Sequence, residues 1–278
     1  MLVLTRKVSF MAGHVYRGGG MSELELWETF GIAAEPSGHG HNYVLEVSVR
    51  GPVNASDGMV VNIKDVDAAL KKLLEPIDHR MLNSALPEFS DAVPTTEKLA
   101  LVLWQKLPAR IGAAEPIALR LEEHPGMHVE LNGAQPAMVQ LTCSIEFSAS
   151  HRLHSKHLSD EENRRVYGKC NNPNGHGHNY IAEVTVSGEP DSRTGAVINV
   201  GLFEELLKKE IDARFDHKHL NLDTQFFEEH PATAENIAIV IWNLLKDKIP
   251  ACRPGGAVKL HRVRLIETAR SWFDYYGE

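Results

Sequence analysis

The pentapeptide His39-Gly40-His41-Asn42-Tyr43 returns unchanged as His176-Gly177-His178-Asn179-Tyr180, 137 residues further on (39 to 176). The same spacing aligns Phe10-Met11-Ala12-Gly13-His14 with Phe147-Ser148-Ala149-Ser150-His151. One inserted residue then shifts the register to 138. Asp78-His79 now meets Asp216-His217, Asn83 meets Asn221, Thr95 meets Thr233, Glu97 meets Glu235 and Trp104 meets Trp242. Near the end of each copy, Arg120-Leu121-Glu122-Glu123 answers Arg264-Leu265-Ile266-Glu267 at a spacing of 144. A period this long exceeds any solenoid repeat and defines a tandem duplication of one domain.

Length agrees, since 278 residues provide two units that are each large enough to bury a core. The turn chemistry of Asn132-Gly133-Ala134-Gln135-Pro136 places the boundary, giving an N-terminal domain over 1–131 and a C-terminal domain over 138–278. Composition is that of a globular protein, with 43% hydrophobic and 24% charged residues.

Several classes are excluded by what the chain carries. The apolar run Leu2-Val3-Leu4 before Arg6-Lys7 is too short for a signal sequence, and no later stretch approaches a membrane span. Three cysteines, Cys143, Cys170 and Cys252, make no disulfide framework in a chain of this length, so a reducing, cytoplasmic setting is expected. A net charge of -8 argues against nonspecific nucleic-acid binding, and no nucleic-acid partner is expected, while leaving room for a local basic pocket that takes a phosphorylated small molecule.

In the second copy, Val139 to His151 and Tyr180 to Val186 alternate as antiparallel strands, with a long loop between them. Thr194-Gly195 turns the chain, and Leu202 to Phe215 has helical spacing, with Leu206, Leu207 and Ile211 on one stripe. Thr233 reads as the N-cap of a second helix whose apolar face is Ile237, Val240, Ile241, Leu244 and Leu245, and Val258 to Ile266 as a closing strand. Trp104 and Trp242 read as core. The expected class is α+β: a small antiparallel sheet with two helices on one face, present twice.

His176 and His178 are two apart and project from one face of a strand, and Gly177 between them permits close approach behind. His151 ends the neighbouring strand and supplies a third imidazole. Three neutral imidazoles with an open fourth position describe a catalytic zinc site. His14, His39 and His41 repeat the set, with the same separation of 25 between first and second members (14 to 39, 151 to 176).

The residues Phe147 to Leu153, Tyr167-Gly168-Lys169-Cys170-Asn171-Asn172-Pro173-Asn174-Gly175-His176-Gly177-His178-Asn179-Tyr180, Asp216-His217 and Glu267-Thr268 resemble the 6-pyruvoyl-tetrahydropterin synthase family. The resemblance covers nearly all of the second copy and, more loosely, the first. It implies a tunnelling-fold (T-fold) unit, a four-stranded sheet that joins others into a barrel in a homo-oligomer, with active sites at subunit interfaces. It also implies the substrate 7,8-dihydroneopterin triphosphate, which loses triphosphate with the help of Mg2+ and rearranges by internal proton transfer.

Under that resemblance His151, His176 and His178 hold Zn2+ and Cys170 is the base. Asp216 and His217 form the second acid/base relay. Glu267 accepts the N-H edge of the pterin, and Thr233 either contacts the ring or serves only as a helix cap. Cys143 and Cys252 read as buried hydrophobes.

The first copy keeps His14, His39, His41, Asp78, His79, Thr95 and Glu123 but has Ala33 where the second has Cys170. Two readings stand. One is a degenerate domain that completes the barrel or its interfaces, where zinc and even pterin binding persist without the family base. The other assigns the missing role to Glu35, four residues before His39, which is the cysteine spacing of the related 6-carboxy-tetrahydropterin synthases; some relatives use a glutamate in place of the cysteine and cleave the side chain to 6-hydroxymethyl-dihydropterin. For the whole chain the alternative activity is that of 6-carboxy-tetrahydropterin synthase. The five residues between Cys170 and His176 favour the pyruvoyl type.

Overall fold

The computed structural model describes residues 1–253 and 257–278. In chain order the elements of the first repeat are β1 (Leu2–His14), α1 (Glu23–Phe30), β2 (His39–Gly51), α2 (Ile63–Leu74), β3 (Arg80–Met81), α3 (Leu82–Ala85), α4 (Thr96–Lys106), β4 (Glu115–His124) and β5 (Met127–Asn132). Those of the second are β6 (Val139–His151), α5 (Asp160–Tyr167), β7 (His176–Gly188), α6 (Val200–Leu207), α7 (Ala213–Phe215), β8 (Lys218–His219), α8 (Ala234–Leu245), β9 (Val258–Thr268) and β10 (Ser271–Tyr275). The class is α+β, and each repeat is one T-fold unit.

Compact packing does not follow the repeats throughout. One unit holds Met1–Leu141 together with Ser187–Gly201, a segment that belongs in sequence to the second repeat. The other holds Thr142–Val186, the described residues 202–253 and Lys259–Glu278.

In the first unit the strand order is β3-β1-β2-β4-β5. β1 and β2 run antiparallel over their whole lengths, from Leu2 opposite Gly51 to His14 opposite His39. Period-2 alternation buries one face of β2 completely, at Tyr43, Leu45, Val47 and Val49. Helix α2 covers that face with Val66, Leu70, Leu73 and Leu74, spaced for a helical stripe, and α4 adds Leu99, Ala100, Val102 and Leu103. Burying each such aliphatic side chain contributes about 1.5–3 kcal/mol.

In the second unit the order is β10-β9-β7-β6, with β8 pairing β6 in parallel. Tyr180, Ala182, Val184 and Val186 form the buried face of β7, and α8 meets it with Ile237, Ala238, Ile241 and Leu245. Here the residue inserted relative to the first repeat has a visible address. Where α2 is a regular helix, α6 passes into a π-turn over Lys208–Asp212 that absorbs the extra residue. The buried stripe is accordingly Phe203, Leu207, Ile211 and Phe215, and Leu206 is only half-buried.

Three expectations need correction. The long loop between the first two strands of each copy contains a helix, α1 or α5, opened by a capping box of Ser22 with Glu25 or Ser159 with Glu162. The closing strand of the second copy is followed by β10, whose Arg264–Asp274 pairing at 2.7 Å crosses to β9. Trp104 and Trp242 are half-buried, not core, because hairpin backbone covers only part of each ring: Gly133 packs against the first and Gly277 against the second.

Candidate active site

Strand register builds both histidine clusters. Because β1 ends at His14 opposite His39, and His41 stands two residues along β2 on the same face, the three rings meet at one sheet corner. The ligand nitrogens of His14, His39 and His41 all lie within 4.8 Å of one another, and so do those of His151, His176 and His178. Gly40 and Gly177 allow the strand pair to close behind the rings: a Cβ at either would stand 3.1 Å from the carbonyl oxygen of Ala12 or Ala149.

Which nitrogens point inward is set by the surrounding backbone. His14 Nδ1 lies 3.0 Å from the Pro94 carbonyl and His151 Nδ1 2.7 Å from the Ala232 carbonyl. Carbonyls only accept, so each Nδ1 carries the proton and leaves Nε2 as a lone pair. Those lone pairs face His39 Nε2 at 3.0 Å and His176 Nε2 at 3.2 Å. A tetrahedral ion about 2.0–2.1 Å from each nitrogen would hold them about 3.3 Å apart. His41 Nε2 is buried with no hydrogen-bond partner, a polar atom that a metal would satisfy. Burial pulls the pKa of His14 down to about 3 and that of His151 to about 4, so both rings are neutral and ready to ligate.

Beneath each cluster the same aromatic layer recurs. Phe10 stacks on Tyr43 at 5.0 Å and Phe147 on Tyr180 at 5.1 Å. The tyrosine hydroxyls reach His14 Nδ1 and His151 Nδ1 at 3.4 Å, supporting the rings from below.

Cys170 sits in the short helical turn Gly168–Asn171, partly exposed, while Cys143 and Cys252 are buried. The Tyr180 phenol has its pKa raised first by burial, then by Glu267 and Cys170. The Cys170 backbone carbonyl accepts the Leu153 amide at 2.9 Å, which ties the turn to the chain two residues beyond His151. Glu267, at the end of β9, has its Oε1 3.8 Å from His178 Nε2. Thr233 caps α8, its hydroxyl accepting from the Asn236 amide.

The Asp-His pairs sit at equivalent positions in both repeats but divide their oxygens differently. Asp216 accepts the Ser148 amide at 2.8 Å on one oxygen and holds His217 Nδ1 at 2.6 Å with the other. The Ser148 amide and then the His217 ring keep the Asp216 carboxyl below the usual range. Asp78 accepts the Met11 amide at 3.0 Å and lies 3.0 Å from His79 Nδ1. His79 and His217 are the non-glycine residues with positive φ among those described, at 57° and 54°. Such backbone costs on the order of 1–3 kcal/mol and is retained where the surroundings fix it; here hydrogen bonds to Met11 and Ser148 do so. Among the described residues, no hydrogen bond or ion pair joins the dyad to Cys170 or to the triad. Its anchor, Ser148, is three residues, roughly 10 Å of strand, from His151.

The first repeat differs around its carboxylate. Glu123 is buried, and its Oε2 accepts from the Thr96 hydroxyl and, at 3.4 Å, from Tyr43, while Oε1 lies 3.5 Å from His41. Tyr16, edge-on to His14 at 4.9 Å and bonded to Thr96, fills the adjoining space; its phenol pKa is raised by burial and then by Glu123. The second repeat has Leu153 and Ala234 at these positions. Glu35 is exposed at the end of the turn Gly31–Ala34.

A second difference was not legible in sequence. The loop 191–199 packs within the first unit: Thr95 donates to the Gly195 carbonyl at 2.6 Å, the Val197 amide donates to Glu97 at 3.0 Å, and Asn199 donates to the Thr29 carbonyl. Thr95, Glu97 and Gly195 to Ile198 are buried by this contact. Their counterparts Thr233, Glu235 and Gly58 to Val61 are exposed or half-buried.

Burial raises the Glu97 pKa to about 7. A raised carboxyl pKa means the folded state holds its proton longer than the unfolded one. Its contribution is therefore full below about pH 4.5 and is lost as pH rises through 7, by on the order of 3 kcal/mol. Glu97→Gln keeps an acceptor for Val197 and removes the proton. The difference in Tm between variant and parent is expected to move in the variant's favour from pH 5 to pH 8; a pH-independent difference would refute the assignment.

Fold and site together define a duplicated α+β protein with two three-histidine, metal-type centres, one of which has a cysteine beside it. The family model for 6-pyruvoyl tetrahydropterin synthase matches residues 3–134 and again 140–278. The chain belongs to that family and is an enzyme of that type. Human 6-pyruvoyl tetrahydrobiopterin synthase is 44% identical over 146 residues, 52% of this chain and 97% of that protein. The 6-carboxy-5,6,7,8-tetrahydropterin synthase of Rickettsia typhi is 32% identical over 127 residues, 40% of this chain and 83% of that protein. Among solved structures, the Caenorhabditis elegans 6-pyruvoyl tetrahydropterin synthase is 38% identical with a TM-score of 0.46, covering 51% of this chain and 96% of that one.

Proposed function

We propose that the second repeat converts 7,8-dihydroneopterin triphosphate to 6-pyruvoyl-tetrahydropterin with elimination of triphosphate. The observation that carries this reading is a three-histidine cluster with Glu267 against it in the repeat that also has Cys170, whose backbone carbonyl accepts the Leu153 amide two residues beyond His151. The greater likeness to relatives named as pyruvoyl synthases than to those named as carboxy synthases supports it.

The donor set fits Zn2+, held by His151, His176 and His178, with Mg2+ accompanying the triphosphate. Zinc when bound supplies a Lewis acid that acidifies protons beside the oxygens it holds. The protein does the rest. Glu267 accepts two N-H groups of the pterin edge and fixes the ring, with Thr233 alongside. Cys170 Sγ, as thiolate, removes a side-chain proton and returns it on the neighbouring carbon. Asp216 holds the Nδ1 proton of His217, leaving Nε2 to exchange protons with the substrate's second hydroxyl-bearing carbon.

Anaerobic incubation of the metal-loaded chain with dihydroneopterin triphosphate and Mg2+ should give a 6-pyruvoyl product by mass spectrometry. A 6-carboxy product would replace this reading with the deazaguanine-route alternative. A 6-hydroxymethyl product would move the chemistry to Glu35. Glu35 is exposed, and Glu35→Gln is expected to leave the product profile unchanged.

The first repeat is proposed to hold metal without taking pterin. Its recognition carboxylate, Glu123, already accepts internal hydroxyls, and Tyr16 lies edge-on to His14 where the second repeat has Leu153. The expected stoichiometry is two metal ions per chain by elemental analysis and one pterin per chain by calorimetry. Two pterins per chain would sink the proposal. His14→Ala should remove one metal and leave pterin binding intact.

We further propose a homo-oligomer whose sheets join into a barrel. A cytoplasmic setting fits the lack, among the described residues, of a helix long and apolar enough to cross a membrane.

A further inference from the structure

A cavity of about 390 Å³ opens in the second unit beside the histidine cluster. Arg152, His154, Lys156, His219 and His230 line it, with Glu228 and Glu229 at one side. It shares a wall with the candidate active site. Arg152 follows the ligand His151 in sequence and donates to the Asn171 backbone carbonyl at 3.3 Å, and Asn171 is the neighbour of Cys170. The Asn171 side chain also touches His154 Nδ1 at 3.1 Å, so one buried amide orients two cavity walls. Across from them, His219 packs against Gly175, the residue before the ligand His176, and its Nδ1 has no hydrogen-bond partner.

The duplication supplies an internal control. The first-repeat counterparts of Arg152, Lys156, His219 and His230 are Val15, Gly19, Met81 and Ala92, and only His154 has a basic counterpart, Arg17. The fold does not need these groups, because the same strand ends, turns and short parallel bridges form without them. The basic set occurs only in the repeat that has the cysteine.

Their chemistry points to a polyanion. Two fixed cations and three imidazoles face a space whose floor is apolar, from Pro173, Leu222 and Phe227, and guanidinium and ammonium groups are the usual partners of phosphate oxygens. Lys156 is already paired with Glu229 at 3.0 Å, but both side chains are largely exposed and such a pair is weak. The two carboxylates oppose a bare anion and suit one that carries a divalent cation.

We propose that this cavity binds the polyphosphate tail of the substrate as its divalent-metal complex and retains it as leaving group. The proposal rests on the reading of the second repeat as an enzyme of phosphorylated pterins. Bound here, the tail lies beside Cys170, and the oxygen that leaves with it stays among cations as negative charge builds up.

The test is calorimetric titration of the full-length, metal-loaded chain with inorganic tripolyphosphate and Mg2+, in parent and in Lys156→Ala/His230→Ala. Both residues lie outside the metal set and on the surface. The parent is expected to bind, and the double variant to bind at least about tenfold more weakly. Arg17→Ala in the first repeat should match the parent. Equal binding in parent and double variant, or no binding by the parent, overturns the proposal. A companion measurement separates it from the reading on which it rests. Pterin turnover with unchanged KM and unchanged tripolyphosphate binding in the double variant would keep the enzyme and remove the pocket. Weakened tripolyphosphate binding without pterin turnover in the parent would keep the pocket and remove the enzyme.

Discussion

Cys170→Ala is expected to lower kcat by about 10²–10⁴-fold, the range for losing a positioned general acid or base, with metal content unchanged. The separation follows from geometry. Cys170 stands in the turn Gly168–Asn171, outside the histidine set whose ligand atoms converge within 4.8 Å. Its side chain supports no strand pairing, so the fold should be retained. Cys143 and Cys252 provide the contrast. Both are buried, and burial pushes the Cys252 thiol pKa up, which leaves it unreactive at neutral pH. Replacing either with Ala should affect stability more than turnover. Turnover by Cys170→Ala at the parental rate would remove the cysteine from the mechanism and shift attention to Asp216–His217, which are held at 2.6 Å.

The paired histidine strings, the doubled register and the strand–helix content were legible because they are local. Alternation exposes a strand, and a spacing of two puts His39 and His41 on one face wherever the sheet lies. The Thr95 and Thr233 caps were legible for the same reason. The helices α1 and α5 had a local signal too, the capping boxes of Ser22 with Glu25 and Ser159 with Glu162, hidden among residues that are polar on most sides. Other features depend on partners far away in sequence. Nothing near Glu97 announces that the Val197 amide, 100 residues on, will bury it. Tyr16 and Thr96 look like ordinary loop and helix residues until both are seen beside Glu123. The π-turn over Lys208–Asp212 could be inferred as an insertion but not placed, because either a loop or a helix can absorb one residue.

A second copy of the chain is expected to seat its loop 54–62 on Thr233 and Glu235 of its neighbour. The template is the chain's own duplicate. Loop 191–199 and loop 54–62 share one backbone form: Gly195 and Gly58 both have φ near 70°, and their amides bond to Asp191 and Asn54 at 2.8 Å. The first is buried against Thr95 and Glu97, while the second, with Met59 and Val60, faces solvent. The shelf that would receive it is also open, at Thr233 and Glu235. One loop and one shelf of the same kind are thus already joined within the first unit, and one of each is left over. Joining them between copies is a heterologous contact, which closes into a ring when the rotation allows. The Val60 amide would then donate to Glu235 and the Thr233 hydroxyl to the Gly58 carbonyl, completing beside Glu267 the enclosure already present beside Glu123. Light scattering on the parent chain should therefore give a closed oligomer. Val60→Asp and Glu235→Lys should each shift it toward single chains, with metal content retained and turnover reduced. Val60 is half-exposed and Glu235 exposed in the single chain, so neither substitution should unfold it. A parent that is a single chain at micromolar concentration, or variants that keep the parental mass, would show that the leftover loop and shelf do not meet.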